Sequence, residues 1–424
     1  MLDKRSVIQE EPEMFALVPD HWVVKKLGYL ASLKSGEGIT SETIGESGKY
    51  PVYGGNGLRG YINSFTHSGD YVLIGRQGAL CGNINYAHGE FWASEHAVVV
   101  TPLEECDVRW LGETLRAMDL NQYSVSAAQP GISIDRISAL KIAVPPLEEQ
   151  SWIANYLDRE TAEIDALVAE KERMLALLEE KREALISHIV TRGLDPKAPF
   201  KPSSLDWLGN IPQHWKVRRL KFLIETLEQG SSPLASNVPA QPDELGILKL
   251  SAISKGRFIR HENKALQQAD NSIQSLSLQK GDVLLTRGNT PKLVGDACVV
   301  PQDEPNLLIS DLIYRIRVKE TEILPKFLGQ FLITPYARLQ IEADARGSSG
   351  SMVKISQGHI LDWLTPVPPK SDQQEIVEAI EQEHKKTQEL ESVLIESINL
   401  LKERRSALIT AAVTGQIASE EMTV

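Results

Sequence analysis

Three cysteines in 424 residues (Cys81, Cys106 and Cys298) are too few and too widely spaced for a disulfide framework or a zinc knuckle. They read as reduced thiols that pack like small apolar side chains. No stretch approaches the roughly 20 apolar residues a membrane helix needs. The N-terminal segment MLDKRSVIQEEPEMF carries acids and lacks the apolar core of a secretory peptide, so a cytoplasmic protein without a membrane span is expected. Walker A, G-x-S-x-G, H-E-x-x-H and EF-hand patterns are all missing, as is an NPP-type amino-methyltransferase motif. Surplus positive charge is missing as well. With 45 Lys and Arg against 57 Asp and Glu, the net charge of −12 does not by itself favour a phosphate backbone. What remains is ordinary globular material, 42% hydrophobic and 24% charged, long enough for two to four domains of about 100–200 residues.

The strongest signal present is internal repetition. VPDHWVVKKL (Val18 to Leu27) returns as IPQHWKVRRL (Ile211 to Leu220), an offset of 193. The segment from Val144 to Thr191, VPPLEEQ…EKREALISHIVT, returns from Val367 to Thr414 at an offset of 223. Borders are therefore kept while the material between them lengthens by 30 residues in the second copy. One scaffold that presents two different readers is the reading this pattern supports. Charge follows the same division. Residues 195–367 hold 21 basic and 18 acidic side chains, whereas 146–194 and 368–424 each hold 6 and 11. The surplus acid is concentrated on the two VPP segments; the second insert is basic and the first remains acidic.

Each VPP segment predicts a long helix. From Glu148 to Val190 there is no Gly or Pro, and strong helix formers dominate. Alternating steps of four and three select Leu157, Thr161, Ile164, Val168, Lys171, Leu175, Leu178, Arg182, Leu185 and Ile189. The same register in the second copy selects Ile380, His384, Thr387, Glu391, Leu394, Ile398, Leu401, Arg405, Leu408 and Ala412. This is a coiled-coil seam with polar interruptions, and neither seam can bury itself alone, so antiparallel pairing of the two helices is expected. At about 43 residues each helix would extend roughly 65 Å. Arg182 and Arg405 stand at matching seam positions, poised either to meet acids across the pair or to cover apolar surface with their stems. Pro145–Pro146 and Pro368–Pro369 stop the chain before each helix, Gly193 and Gly415 follow the ends, and DPKAPFKPSS links the halves.

The inserts alternate short β-rich runs with turns, then carry the helical stretches RWLGETLRAM and PKFLGQFLITPYARLQIE. A hairpin turn is expected at Asn56-Gly57. The fold class is α+β: two mixed α/β domains joined by two long antiparallel helices, with a pseudo-twofold repeat. Expected boundaries are 1–146, 147–193, 194–369 and 370–424.

Few residues suggest chemistry. Asp243, Glu262 and Lys264 form a loose nuclease-like set of the kind that binds Mg²⁺, a pattern that arises often by chance. The glycines around Asn56 do not join a strand to a helix, as a phosphate cradle would require. His21-Trp22 and His214-Trp215 recur at matched positions and read best as anchors of the strand that opens each unit. More informative is GDYVLIGRQG beside GDVLLTRGNT, each a strand that ends in Arg followed by an amide side chain within a Gly-flanked turn. Arg pairs with guanine and Gln or Asn with adenine in the major groove, which suits Arg76, Gln77, Arg287 and Asn289 to base reading; a structural turn is the competing explanation. SAAQPGISI and RGSSGSMVKIS look like Ser/Gly-rich loops offering hydroxyls and N–H groups to phosphates or bases. The candidate DNA contacts are thus Asn56, Arg59, Arg76, Gln77, Asn83 and Gln129 in the first insert. In the second they are Arg287, Asn289, Lys292, Arg346, Ser348, Ser349, Ser351 and Lys354.

With these residues in view, the chain resembles the DNA-specificity subunits of type I restriction–modification systems. The resemblance is carried by IPQHWKVRRL and its partner, by the strand-plus-Arg motif, and by the GIS or KIS turn before each VPP. It is carried also by Glu149-Gln150 and Asp372-Gln373 at the head of helices ending Arg182 to Ile186, Val190-Thr191, and Arg405 to Ile409, Val413-Thr414-Gly415. Arg192 interrupts the first VTG, and Asp372 stands where the family usually has Glu. The resemblance covers nearly the whole chain. It implies two target-recognition domains reading the halves of an asymmetric bipartite site in double-stranded DNA. It implies two methylation subunits docked on the helices, and restriction or motor subunits beyond them. S-adenosylmethionine, ATP and Mg²⁺ would belong to those partners and none to this chain, which would itself be non-catalytic. A single-chain nuclease and a coiled-coil scaffold that never touches DNA are the alternatives.

Overall fold

The computed structural model describes residues 18–78, 80–124, 131–267, 277–349 and 352–423, with Ser348 and Ser349 described by backbone alone. Among them no helix is long and apolar enough to cross a membrane. The two long helices run Leu147–Arg192 and Lys370–Val413. The chain divides into two compact units, one comprising residues up to Arg173 together with 394–424, the other Met174–Val393. Each long helix therefore gives one segment to each unit.

In the first unit, Val23–Lys26 pairs antiparallel with Lys141–Val144 and closes the insert at its base. The main sheet runs in the order Ala31–Ser35, Ala97–Pro102, Tyr71–Gly75, Ile84–Ala87, antiparallel throughout. Alternation along the strands sends its side chains to two cores. Val72, Ile74, Val98 and Val100 pack with Trp110, Leu111, Leu157 and Ile409. Leu73 and Val99 pack on the other side with Ala87 and Phe91. A second sheet, in the order Gly57–Ile62, Tyr50–Gly54, Glu90–Ala93, His67–Ser68, contains one parallel pairing, Val52 opposite Trp92. The turn between its first two strands is Gly55-Asn56, since Gly54 already pairs with Gly57; the expected Asn56-Gly57 turn is displaced by one residue. Gly57 sits at φ 92°, where a side chain would be strained.

The second unit repeats this plan. Lys216–Arg219 pairs with Leu364–Val367 at the base. The main antiparallel sheet runs Ile224–Gln229, Ile313–Val318, Val283–Thr286, Ala297–Val299. The second sheet, Asn263–Ala265, Gly246–Leu248, Glu304–Leu308, Ser277–Leu278, again has one parallel pairing, Gly246 with Leu307. Three local expectations change. PKFLGQFLITPYARLQIE forms two helices, Pro325–Leu332 and Pro335–Asp344. Pro335 lacks an N–H and disfavours helix at the preceding residue, so Thr334 starts a new helix and its Oγ1 accepts from the Ala337 N–H at 3.2 Å. The stretch read as a Ser/Gly loop is a hairpin, Arg346–Ser349 against Met352–Lys354, with Gly288–Asn289 on its other edge. The linker holds a short strand, Phe200–Pro202, paired with Asn210–Pro212.

Along both helices the seam positions are the sheltered ones. Leu157, Thr161, Ile164, Arg182 and Ile189 are buried, and Val168, Lys171, Leu175, Leu178 and Leu185 are half-buried. On the other helix Ile380, Thr387, Leu394, Ile398 and Ala412 are buried, and His384, Glu391, Leu401, Arg405 and Leu408 half-buried. Within the first unit the helical segments run antiparallel: Arg405 grips Asp165 with two bonds of 2.8 and 3.1 Å, and Lys402 reaches Glu172 at 3.2 Å. Arg182 turns instead to Glu179 in its own helix, with two bonds of 2.9 Å. The matched arginines thus satisfy themselves differently. Cys81 and Cys298 are buried and Cys106 half-buried, all as free thiols. Burial, followed by nearby Asp107, pushes the Cys106 thiol up to about 12, which leaves it unreactive at neutral pH.

Candidate nucleic-acid interface

The recurring motifs build the frame rather than the tip. His21 Nε2 lies 2.8 Å from Glu149 Oε1, and Trp22 Nε1 donates to Glu149 Oε2 at 3.0 Å. In the second unit Asp372 Oδ2 takes both roles, 2.7 Å from His214 Nε2 and 3.2 Å from Trp215 Nε1. The shorter acid therefore performs the same work with a single oxygen. Burial alone would raise the Asp372 carboxyl, but the donors His214, Trp215 and Ser371 outweigh it and hold it below its ordinary value. The following glutamine is buried and stapled. Gln150 donates to Pro145 O (3.0 Å) and accepts from the Asp107 N–H (2.9 Å). Gln373 donates to Pro368 O (2.9 Å) and Glu322 O (3.0 Å) and accepts from the Leu324 N–H (2.7 Å). These contacts fix how each helix leaves its unit.

Arg76 and Arg287 end equivalent strands and are held alike by their backbones. The Arg76 N–H donates to His96 O and its carbonyl accepts from Ile132, at 2.9 and 3.0 Å. The Arg287 N–H donates to Leu312 O and its carbonyl accepts from Ile355, at 2.7 and 2.9 Å. The isoleucines are those of the GIS and KIS turns, and both are buried. Their side chains are anchored too: Arg76 Nη1 donates to Ser35 Oγ at 3.0 Å, and Arg287 Nη1 to Asp311 O at 3.2 Å. Both arginines are half-buried. The arrangement lets each lock its turn and present the neighbour that follows.

In the first unit that neighbour is Gln77, which is exposed. With Asn56, Arg59 and His96 it lines an open hollow of about 520 Å³, floored by Gly55 and Gly78. The Arg59 stem crosses Gly54, where an added Cβ would come within 2.5 Å of Arg59 Cδ. Asn83 reaches Asn56 Oδ1 at 3.5 Å, at the limit of a hydrogen bond. Four of the expected residues, Asn56, Arg76, Gln77 and Asn83, thus fall on neighbouring turns, and Arg59 lies on the strand Gly57–Ile62 beside them. His96 was not expected, because nothing in the sequence ties the turn before Ala97–Pro102 to Gln77. Gln129 lies outside the described residues.

The second unit gathers a different set. Asn289 pairs with Val353 on the small sheet, and Lys354 stands opposite both Gly288 and Arg346. Lys354, Arg346 and Lys292 are exposed. Asn289 is half-buried, and its Oδ1 accepts from the Thr290 N–H at 2.8 Å. Ser348 and Ser349 lie on the strand beside these residues, and Ser351 lies outside the described residues. Arg338, which the sequence did not flag, ties the loop carrying Lys292 by donating to Pro291 O and Val294 O. The nuclease-like set offers no open carboxylate pair: Glu262 accepts from Ser251 Oγ at 2.5 Å and meets Lys249 at 3.6 Å. Among the described residues no group of three or more His, Cys, Asp or Glu is placed to hold a metal ion.

Comparison with known proteins agrees with this doubled architecture. The family model described as type I restriction modification DNA specificity domain matches residues 19–174 and again 212–400. The chain is 44% identical over 139 residues to the EcoprrI type I restriction enzyme specificity subunit of Escherichia coli, covering 32% of this chain and 35% of that one. It is 25% identical over 312 residues to the EcoKI specificity subunit of Escherichia coli strain K12, 71% of this chain and 64% of the relative. With the MjaVIII specificity subunit of Methanocaldococcus jannaschii it shares 23% identity over 419 residues, 92% and 94% of the two chains. The match thus spans only about a third of the first relative and just under two thirds of the second. A solved structure concerned with complex assembly and conformational transition of the type I R-M system aligns with a TM-score of 0.62 at 16% identity, over 94% of this chain and 99% of that one, which shows a shared fold. The chain belongs to the type I restriction modification DNA specificity domain family and carries that domain twice.

Proposed function

We propose that this chain is the non-catalytic DNA-reading subunit of a type I restriction–modification complex, and that its two units read the two halves of an asymmetric bipartite site in double-stranded DNA. The observation that carries the proposal is one frame built twice around unlike tips. The His–Trp–acid clamp, the glutamine staple and the locked arginine recur. The exposed chemistry is a hollow of amides, Arg59 and imidazole in one unit and a cationic hairpin in the other. Turns locked by packing and hydrogen bonds place exposed side chains to read base edges in the major groove. In the first unit Gln77, Asn56 and Arg59 face the bases and Asn83 supports them. In the second Asn289, Lys354 and Arg346 do so, with Lys292 toward phosphate and Ser348 and Ser349 on the same strand as Arg346.

The helices serve protein partners. They carry the surplus acid and leave apolar residues exposed: Leu167, Ile395 and Leu400 in the first unit, and Met174, Leu177, Leu390 and Val393 in the second. Two methylation subunits dock there and restriction or motor subunits join them, in the cytoplasm; S-adenosylmethionine, ATP and Mg²⁺ belong to those partners. The test is binding by the chain assembled with its methylation subunits. Gln77→Ala or Asn289→Ala should cost about 1–3 kcal/mol on duplexes with the proper half-site. Equal loss on random duplex would contradict base reading at those positions.

A further inference from the structure

The two units differ at one interior position in a way that leaves a buried acceptor beside a cavity in the second. The glutamine staples align the helices that follow: Asp107 N–H meets Gln150 where Leu324 N–H meets Gln373, an offset of 217. On that alignment Glu113 corresponds to Gln330, Arg109 to Lys326, Arg116 to Ile333 and Gly112 to Gly329. The strand registers supply the remaining member. Val72 pairs with Tyr86, and its counterpart Val283 pairs with Val299. The glycines agree, since a Cβ on Gly112 would fall 2.2 Å from Tyr86 Oη, and one on Gly329 would fall 2.6 Å from Val299 Cγ2.

In the first unit the fully buried Glu113 carboxylate is satisfied three ways. Tyr86 Oη donates at 3.0 Å, Arg109 Nη1 lies at 2.9 Å and Arg116 Nε at 3.0 Å. The Arg109 guanidinium also covers the Tyr86 ring at 4.8 Å. In the second unit two of the three donors are gone and the third is engaged elsewhere. Val299 replaces the phenol, Ile333 replaces Arg116, and Lys326 turns to Glu381. Gln330 Oε1 is buried with no hydrogen-bond partner. Beside it lies a cavity of about 370 Å³, a size that suits a small ligand. Its floor is apolar (Ile186, Val377, Ile380), and its rim carries Arg257 and Lys385. Neither of these two side chains makes a hydrogen bond or ion pair among the described residues, although the Arg257 guanidinium lies near enough to Glu179 to help Arg182 hold that carboxyl below its ordinary value.

A buried acceptor without a donor is costly, and a ligand that supplies the donor relieves it. We propose that this cavity binds a small aromatic anion. Its flat body takes the place of the Tyr86 ring, an O–H or N–H on that body donates to Gln330 Oε1, and its acidic group pairs with Arg257 and Lys385. A hydroxyaryl carboxylate and a purine nucleotide share this chemistry.

Calorimetric titration of the full-length chain with 4-hydroxybenzoate, AMP, benzoate and inorganic phosphate tests the proposal and separates the two sources. At least one of the first two should bind once per chain, with benzoate and phosphate roughly tenfold weaker or more. Val299→Tyr, which restores the phenol of the first unit, should abolish that binding. Arg257→Ser with Lys385→Ser, a change at the exposed rim that leaves the fold and thermal midpoint unaltered, should weaken it by roughly tenfold or more. The proposal is overturned if neither probe binds the wild type at about 5 mM. It is overturned equally if binding survives the rim variant or Val299→Tyr, or if benzoate and phosphate bind as well as the donors. Should Val299→Tyr fail to fold, the rim variant decides.

Discussion

Replacing Gln373 by leucine is the sharpest perturbation of the frame. Leucine fills nearly the same volume, so packing is kept while three hydrogen bonds disappear: those to Pro368 O, Glu322 O and the Leu324 N–H. Gln373 is 0% exposed, so solvent does not replace them. At about 1 kcal/mol for each lost bond, with more where a backbone group is left buried and unpaired, the loss should be about 3 kcal/mol. Gln150 makes two such bonds from a site 3% exposed, so Gln150→Leu should cost about 2 kcal/mol. For units of this size each kcal/mol moves the thermal midpoint by about 2–4 °C, which predicts a shift of roughly 6–12 °C for Gln373→Leu. Calorimetry reads the shift, and hydrogen exchange at the Leu324 amide reads its origin, because that N–H should lose protection first. A shift of about 1 °C or less, or a larger effect from Gln150→Leu than from Gln373→Leu, would refute the assignment of these glutamines as staples.

The depressed Asp372 carboxyl stabilises the fold above its ordinary pKa near 3.8 and loses that contribution as the pH falls through its lower folded value. Chemical denaturation should therefore show Asp372→Asn less stable than wild type by a constant margin from pH 7 to about 5, shrinking below about 4; a margin that persists at low pH would contradict the clamp. Gly36 and Gly230 occupy matched close approaches, where a Cβ would lie 2.2 Å from Ala93 O and 2.0 Å from Ile309 O. Alanine at either should cost about 1–3 kcal/mol in urea denaturation, while alanine at Gly38, which meets nothing within 4 Å, should be near neutral. Arg405→Ala breaks a two-bond grip on an Asp165 that is 55% exposed, so a loss of only about 0.2–1 kcal/mol is expected by the same method. A much larger loss would mean that Arg405 bears more than this pair.

What could be read from the residues was whatever repeats or alternates. The HW pair, the acid-Gln head and the four-three seam each impose a local pattern, and the same physics places them in the fold: the acid receives His and Trp, and the seam positions are the sheltered ones. The strand-plus-Arg motif was legible as a turn, but the partners of its guanidinium were not. Ser35 and Asp311 lie on strands or turns distant in sequence, and only register brings them near. The Ser/Gly-rich stretch before KIS does not announce its strands for a related reason. Glycine and serine favour loops locally, but Lys354 and Met352 find ladder partners across a tight hairpin. Pro335 carried its own signal, a break in the helix, which the surrounding apolar periodicity masked. The cavity beside Gln330 was invisible in either copy alone. It emerges when Val299 is placed opposite Val283 and compared with Tyr86 opposite Val72.

Central to the account are two different readers on one repeated frame, and mapping methylated bases across the genome of cells that carry this chain with the proposed methylation subunits tests that most directly. The account predicts a single asymmetric motif made of two unlike short halves separated by an unread gap of constant length, with Gln77→Ala relaxing one half and Asn289→Ala the other. A contiguous motif, a palindrome of identical halves, or relaxation of the same half by both variants would contradict it.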